Sequence, residues 1–131
     1  METTKLLRIA ERSGITVDRF NLPQNRSVSV KCESGMYVAL DNNMTCAEEK
    51  VCLAHELGHC ETYSFYNIYS PLDIRGKHEN RANCWAIKKL IPKYQFEKAI
   101  KSGYDNVYSL AEYFGVTTDF MIKAVEYYKG A

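Results

Sequence analysis

The segment TCAEEKVCLAHELGHCE, residues 45–61, constrains the fold more than any other stretch of the chain. Thr45 and Glu48 stand in capping-box register, which predicts a long helix starting there. That helix carries His55 and His59 four residues apart, so both imidazoles lie on one face, one turn apart. Two imidazoles so placed can bind one metal ion. Glu56 projects about 100° around the helix from His55, where it can reach a coordinated water without being a ligand. This is the logic of H-E-x-x-H: the metal lowers the pKa of its water to about 7, and the glutamate takes the proton during attack on a carbonyl. Gly58 between the histidines costs about 1 kcal/mol of helix propensity, which points to another backbone or a substrate approaching closely there.

The segment admits two other readings. The histidines could be satisfied core residues. Alternatively, Cys52, His55 and His59 share a stripe that invites a structural metal site. Geometry disfavours the second, because seven residues of helix separate Cys52 from His59 by about 10.5 Å along the axis. Cys60 points away from His59. The cysteines are therefore read as packing.

A catalytic zinc wants a third protein ligand and an open position. A helix is predicted from Glu79 to Ile91, stopping at Pro92. Glu79 heads a face continued by Asn83, Ala86, Ile87 and Leu90, and a carboxylate at the head of a buried stripe needs a partner. A metal would serve; the alternative is a first-turn acid favoured by the helix dipole. Asn83, one turn later, could orient a ligand histidine through its other ring nitrogen. His78 is the rival ligand, or a transition-state hydrogen-bond donor alongside Tyr63, Tyr66 and Tyr94. The mixed imidazole and carboxylate set suits zinc, and manganese or iron could also occupy it.

The rest of the chain predicts an α+β fold. Residues 3–13 form an amphipathic helix stopped by Gly14, GITVDRF reads as a short strand, and SVSVKC and MYVALD pair as a hairpin through ESG. Residues 64–77 lack a period, which suggests a lid, a substrate-contacting loop, or a loop packed by its own aromatics. The tail reads as two or three short helices separated by glycines. Its shape, SLAEYFGVTTDFMIKAVEYY, admits a DNA-binding helix-turn-helix. Charge opposes that: Lys93, Lys98, Lys101, Lys123 and Lys129 are balanced by Glu97, Asp105, Glu112, Asp119 and Glu126. A helical subdomain that packs on the core or grips a protein substrate is the better reading.

At 131 residues one domain is expected, with a core over 1–95 and a helical subdomain over 96–131. A net charge of +1 gives no long-range pull toward nucleic acid or membrane. Five cysteines cannot all pair, and no stretch resembles a signal peptide, so a cytoplasmic protein with reduced thiols is expected.

HELGH followed some twenty residues on by ENRANCWAIKKLIP resembles the ImmA/IrrE family of phage- and mobile-element-associated metallopeptidases. In that family the H-E-x-x-H is followed by E-x-x-A-N-x-F-A and a leucine-proline ending. Glu79, Ala82, Asn83, Trp85, Ala86, Leu90 and Pro92 occupy the pattern here, with Trp85 in place of phenylalanine. The likeness spans residues 3–95, and more loosely the tail. It implies a small zincin-like, gluzincin-type domain: an N-terminal helix, a short antiparallel sheet, an active-site helix and a C-terminal helical segment. It implies His55, His59 and Glu79 as zinc ligands and Glu56 as general base. It also implies a protein substrate, typically a helix-turn-helix repressor whose cleavage derepresses the element. A metal-bound module that binds a repressor without cutting it would use the same ligands.

Overall fold

Period-two alternation in residues 27–41 produces a tight hairpin. In the computed structural model, which describes residues 1–66 and 69–130, β2 (Ser27–Cys32) and β3 (Gly35–Asp41) pair antiparallel with Cys32 opposite Gly35. The turn closes on Gly35, whose φ of 139° suits glycine. Val38 and Leu40 point inward and are buried, while the alternate Tyr37 stays exposed. β1 (Ile15–Phe20) lies along the other side of β3 and runs parallel to it, Ile15 opposite Met36. The order β1-β3-β2 makes the sheet mixed and leaves β2 on an edge. The parallel pairing was not legible in the sequence, since a strand's alternation carries no direction.

α1 (Thr3–Arg12) packs on β1 and on α2 through Leu6 and Ala10. α2 (Cys46–Glu61) opens with the expected capping box: the Thr45 side chain accepts from the Glu48 amide, and the Glu48 carboxylate accepts from the Thr45 amide. Its second half is buried, with Leu53 and Leu57 against the sheet. α3 (Leu72–Leu90) packs along α2 through Ala82, Ala86 and Leu90.

α3 begins seven residues before the predicted start at Glu79, so the latter part of the aperiodic connection expected over 64–77, residues 72–77, is helix. Asn67 and Ile68, within that connection, lie outside the described residues. Two things hid these turns. Pro71 looks like a breaker but precedes the first helical residue, where a missing N–H costs nothing. Leu72, Asp73, Ile74, Gly76 and Lys77 are exposed, and a helix stretch with no buried face shows no period.

Three short helices complete the chain: α4 (Lys93–Lys101), α5 (Val107–Phe114) and α6 (Thr118–Lys129). α5 ends on Gly115 in the left-handed conformation, φ 66°. Lys50 of α2 donates to the Phe114 carbonyl at 2.7 Å and ties this end of α5 to α2. Phe96, Leu110, Phe114, Phe120 and Met121 join Leu53, Leu57 and Leu90 in one hydrophobic cluster. Among the described residues no helix is long and apolar enough to cross a membrane.

Candidate active site

The site forms where α2 and α3 come closest, and Gly58 sets that distance. A Cβ at Gly58 would stand 2.6 Å from the Ala82 carbonyl oxygen and 2.9 Å from its Cα. The close approach expected of this glycine is therefore the backbone of α3. Ala82 is itself small, and the residues on either side of it along the α3 face, Glu79 and Asn83, are brought against His55 and His59.

His55 Nδ1 lies 2.8 Å from Asn83 Oδ1, and His59 Nδ1 lies 2.7 Å from the Ser64 carbonyl oxygen. Both acceptors are oxygens, so each Nδ1–H donates and each Nε2 keeps its lone pair; the tautomers follow from this network. The two Nε2 atoms are 3.2 Å apart and meet Glu79, Oε2 at 3.0 Å from His55 and Oε1 at 2.9 Å from His59. Two lone pairs and a carboxylate pointed at one another repel unless a cation lies among them. His55, His59 and Glu79 present donor atoms all within 4.8 Å of one another, a set suited to a metal ion. Glu79 stands well past the first turn of α3, so the helix-dipole reading of it does not apply. Burial pushes its carboxyl up, but the Tyr66 hydrogen bond, with the attraction of the two imidazoles whenever they carry a second proton, outweighs this and holds it below the usual range.

Glu56 sits beside this cluster rather than in it. It is 7% exposed, and its Oε2 accepts a 2.7 Å hydrogen bond from the Ser27 hydroxyl at the start of β2. Together with His55, His59 and Glu79, it lines a cleft of about 260 Å³ between β2 and the segment carrying Phe65 and Tyr66.

The four candidate hydrogen-bond donors part company. Tyr66 lines the cleft and donates to Glu79 Oε1 at 2.7 Å, which, with burial, pushes its phenol up to about 12. Tyr63 is 64% exposed, with Lys31 over its ring, and Tyr94 is exposed on α4. The metal-donor cluster is made by His55, His59 and Glu79, without His78. His78 follows Lys77 on the turn beside Glu79, its ring 6.2 Å from that of Tyr66, its Nδ1 shielded from solvent without a hydrogen-bond partner among the described residues.

Two contacts were beyond the reach of sequence. Ser27 carries no local signal that it will meet Glu56. The Ser64 carbonyl reaches His59 because the chain reverses sharply after α2, with Tyr63 in the left-handed region at φ 51°. Thr62 steadies that reversal, donating to the Gly58 carbonyl at 2.7 Å. The cysteines are packing or surface thiols: all five are unpaired, and burial pushes Cys60 up to about 12, leaving it a protonated, inert thiol.

A mixed sheet with a H-E-x-x-H helix packed on it, and a glutamate delivered from the next helix, defines a zincin-like metallopeptidase fold with a metal-binding cluster of the gluzincin type. Residues 10–126 match the peptidase M78 family model, the IrrE N-terminal-like domain, and the chain belongs to that family. No curated protein sequence matches it. Among solved structures it resembles a Mycobacterium tuberculosis transcriptional regulator, with a TM-score of 0.68 at 18% identity. The likeness covers 90% of this chain and 38% of that one, so the chain spans well under half the length of the protein whose fold it shares.

Proposed function

We propose that the chain is a zinc-dependent endopeptidase acting in the cytoplasm on a protein substrate, a helix-turn-helix repressor of a phage or mobile element. The observation that carries the proposal is Glu56: a buried carboxylate in the same cleft as the metal-donor cluster, held by Ser27, and not itself one of the donors. A carboxylate so placed is fitted to move a proton. Free thiols at all five cysteines suit a reducing compartment. The repressor comes from the family resemblance alone.

In this reading His55, His59 and Glu79 hold the ion. When bound, zinc supplies the Lewis acidity that brings a water toward neutral pKa and polarises the scissile carbonyl. Glu56 takes the proton from the attacking water and delivers it to the departing amide nitrogen. Asn83 and the Ser64 carbonyl fix the two imidazoles, and Ser27 fixes the base. Tyr66, the one candidate donor in the cleft, is assigned to the oxyanion that forms on the carbonyl. Residues 1–131 work as one unit, because the helices of 96–131 share the core of 1–95.

The test is incubation with the DNA-binding repressor encoded next to this chain, with and without chelator, followed by mass spectrometry. Defined fragments should form with wild-type protein and vanish with chelator or with Glu56→Gln, which should still bind zinc. Intact repressor in every arm, with complex formation retained, would make the protein a binding module instead. Full cleavage by Glu56→Gln would refute the role of that glutamate.

A further inference from the structure

The cleft does not end at the two histidines. A second cavity, of about 280 Å³, shares Ser27, His55 and Glu79 with the first. Its other walls are Val51 and Cys52 of α2, Asn83 of α3 and, from the start of α6, Thr117, Asp119, Phe120 and Lys123. The first cavity reaches toward Asn25 and Phe65, the second toward α6, and the metal-donor cluster lies where they meet.

This arrangement matters because of what an endopeptidase must hold. Substrate chain continues on both sides of the bond it cuts, so a site with room on one side alone would serve a chain end. Val51, Cys52 and Phe120 make an apolar floor for the second cavity, all three belonging to or packed on the core. Asp119 and Lys123 stand exposed at its rim, one turn apart on α6, and neither makes an ion pair among the described residues. Met121 and Ala124 are buried and anchor α6 in the core, so the wall is rigid and needs no ordering when a ligand arrives.

We propose that the two cavities form one groove, which holds an extended polypeptide across the cluster, and that the start of α6 determines specificity on one side of the scissile bond. The side chain seated on Val51, Cys52 and Phe120 is apolar, and Asp119 and Lys123 read the charge of its neighbours. Lys123 favours an acidic neighbour. The proposal rests on the endopeptidase reading but is tested apart from cleavage.

The test uses the Glu56→Gln protein with zinc and a mixture of random-sequence synthetic dodecapeptides. A photo-crosslinking benzoylphenylalanine replaces Asn25, Lys123 or, as a control on α5, Tyr108, which is 75% exposed. Peptide should be captured at 25 and at 123 and not at 108. Capture at 25 without capture at 123 overturns the groove while leaving the endopeptidase reading standing, and so does absence of capture at both, because repressor cleavage is judged separately. With the probe at 25, Lys123→Glu should deplete acidic residues at one register of the captured peptides roughly two- to fivefold, the range of an exposed ion pair. An unchanged composition removes Lys123 from specificity.

Discussion

The two ends of α2 use charge in opposite ways. At the N-terminus Glu48 and Glu49 keep 26% and 21% of their side chains exposed, one closing the capping box and meeting Arg26, the other taking a bidentate Arg19. At the C-terminal end Glu56 and His59 are 7% and 5% exposed, and each has a named partner. An exposed pair is worth under about 1 kcal/mol, whereas a buried polar group left unpaired costs about 1–3 kcal/mol. The first end can therefore vary at little cost. The second is tolerable only because α3, β2 and the Ser64 turn supply what its side chains need.

The sharpest way to break this contrast is at Gly58. Gly58→Ala forces a Cβ into the Ala82 carbonyl, so α2 and α3 must separate and carry Glu79 and Asn83 away from the histidines. A loss of about 1–3 kcal/mol is expected in thermal or denaturant unfolding, with weaker zinc binding in a competition titration. Unchanged stability together with unchanged zinc affinity would mean the backbone contact does not set the spacing.

Asn83→Ala should act on metal and hardly on fold. Removing the acceptor from His55 Nδ1 should weaken zinc binding by about 10- to 100-fold. Equal affinity in the two proteins would show that His55 is oriented by something else.

Mutations at the other end should spare the metal. Thr45→Ala removes the cap and should cost about 1 kcal/mol, with zinc affinity unchanged; a linked loss of zinc would merge the two ends into one unit. Smallest of all, Glu49→Gln should cost under about 1 kcal/mol at neutral pH. The hydrogen bond and charge of Arg19 hold the Glu49 carboxyl below its ordinary value, against the opposing effect of burial. Its contribution is thus fully present above the unfolded carboxylate pKa near about 4.3 and disappears as the pH falls through the lower folded value. Wild-type and variant unfolding curves should converge in acid. A gap that widens there would contradict the Arg19 pairing.

Legibility followed the same division. The start of α2 was readable because a capping box is local, four residues that satisfy one another. The first two turns of α3 were not, because their exposed residues carry no period. His55 and His59 were readable as a pair because helical spacing alone puts them on one face. Ser27 and the Ser64 carbonyl were invisible, since a serine hydroxyl and a backbone oxygen look the same at any position until the chain folds them against Glu56 and His59.

By itself, then, the sequence determined a capped helix with two imidazoles and a carboxylate at fixed angles, and a second helix ready to offer another acid. These follow from chain geometry within one or two turns. The tertiary structure decided the separation of the helices, set by a backbone contact at Gly58, and the meeting of β2 and α6 around the site. Such contacts join residues far apart in the chain, and no local spacing encodes the distance between them.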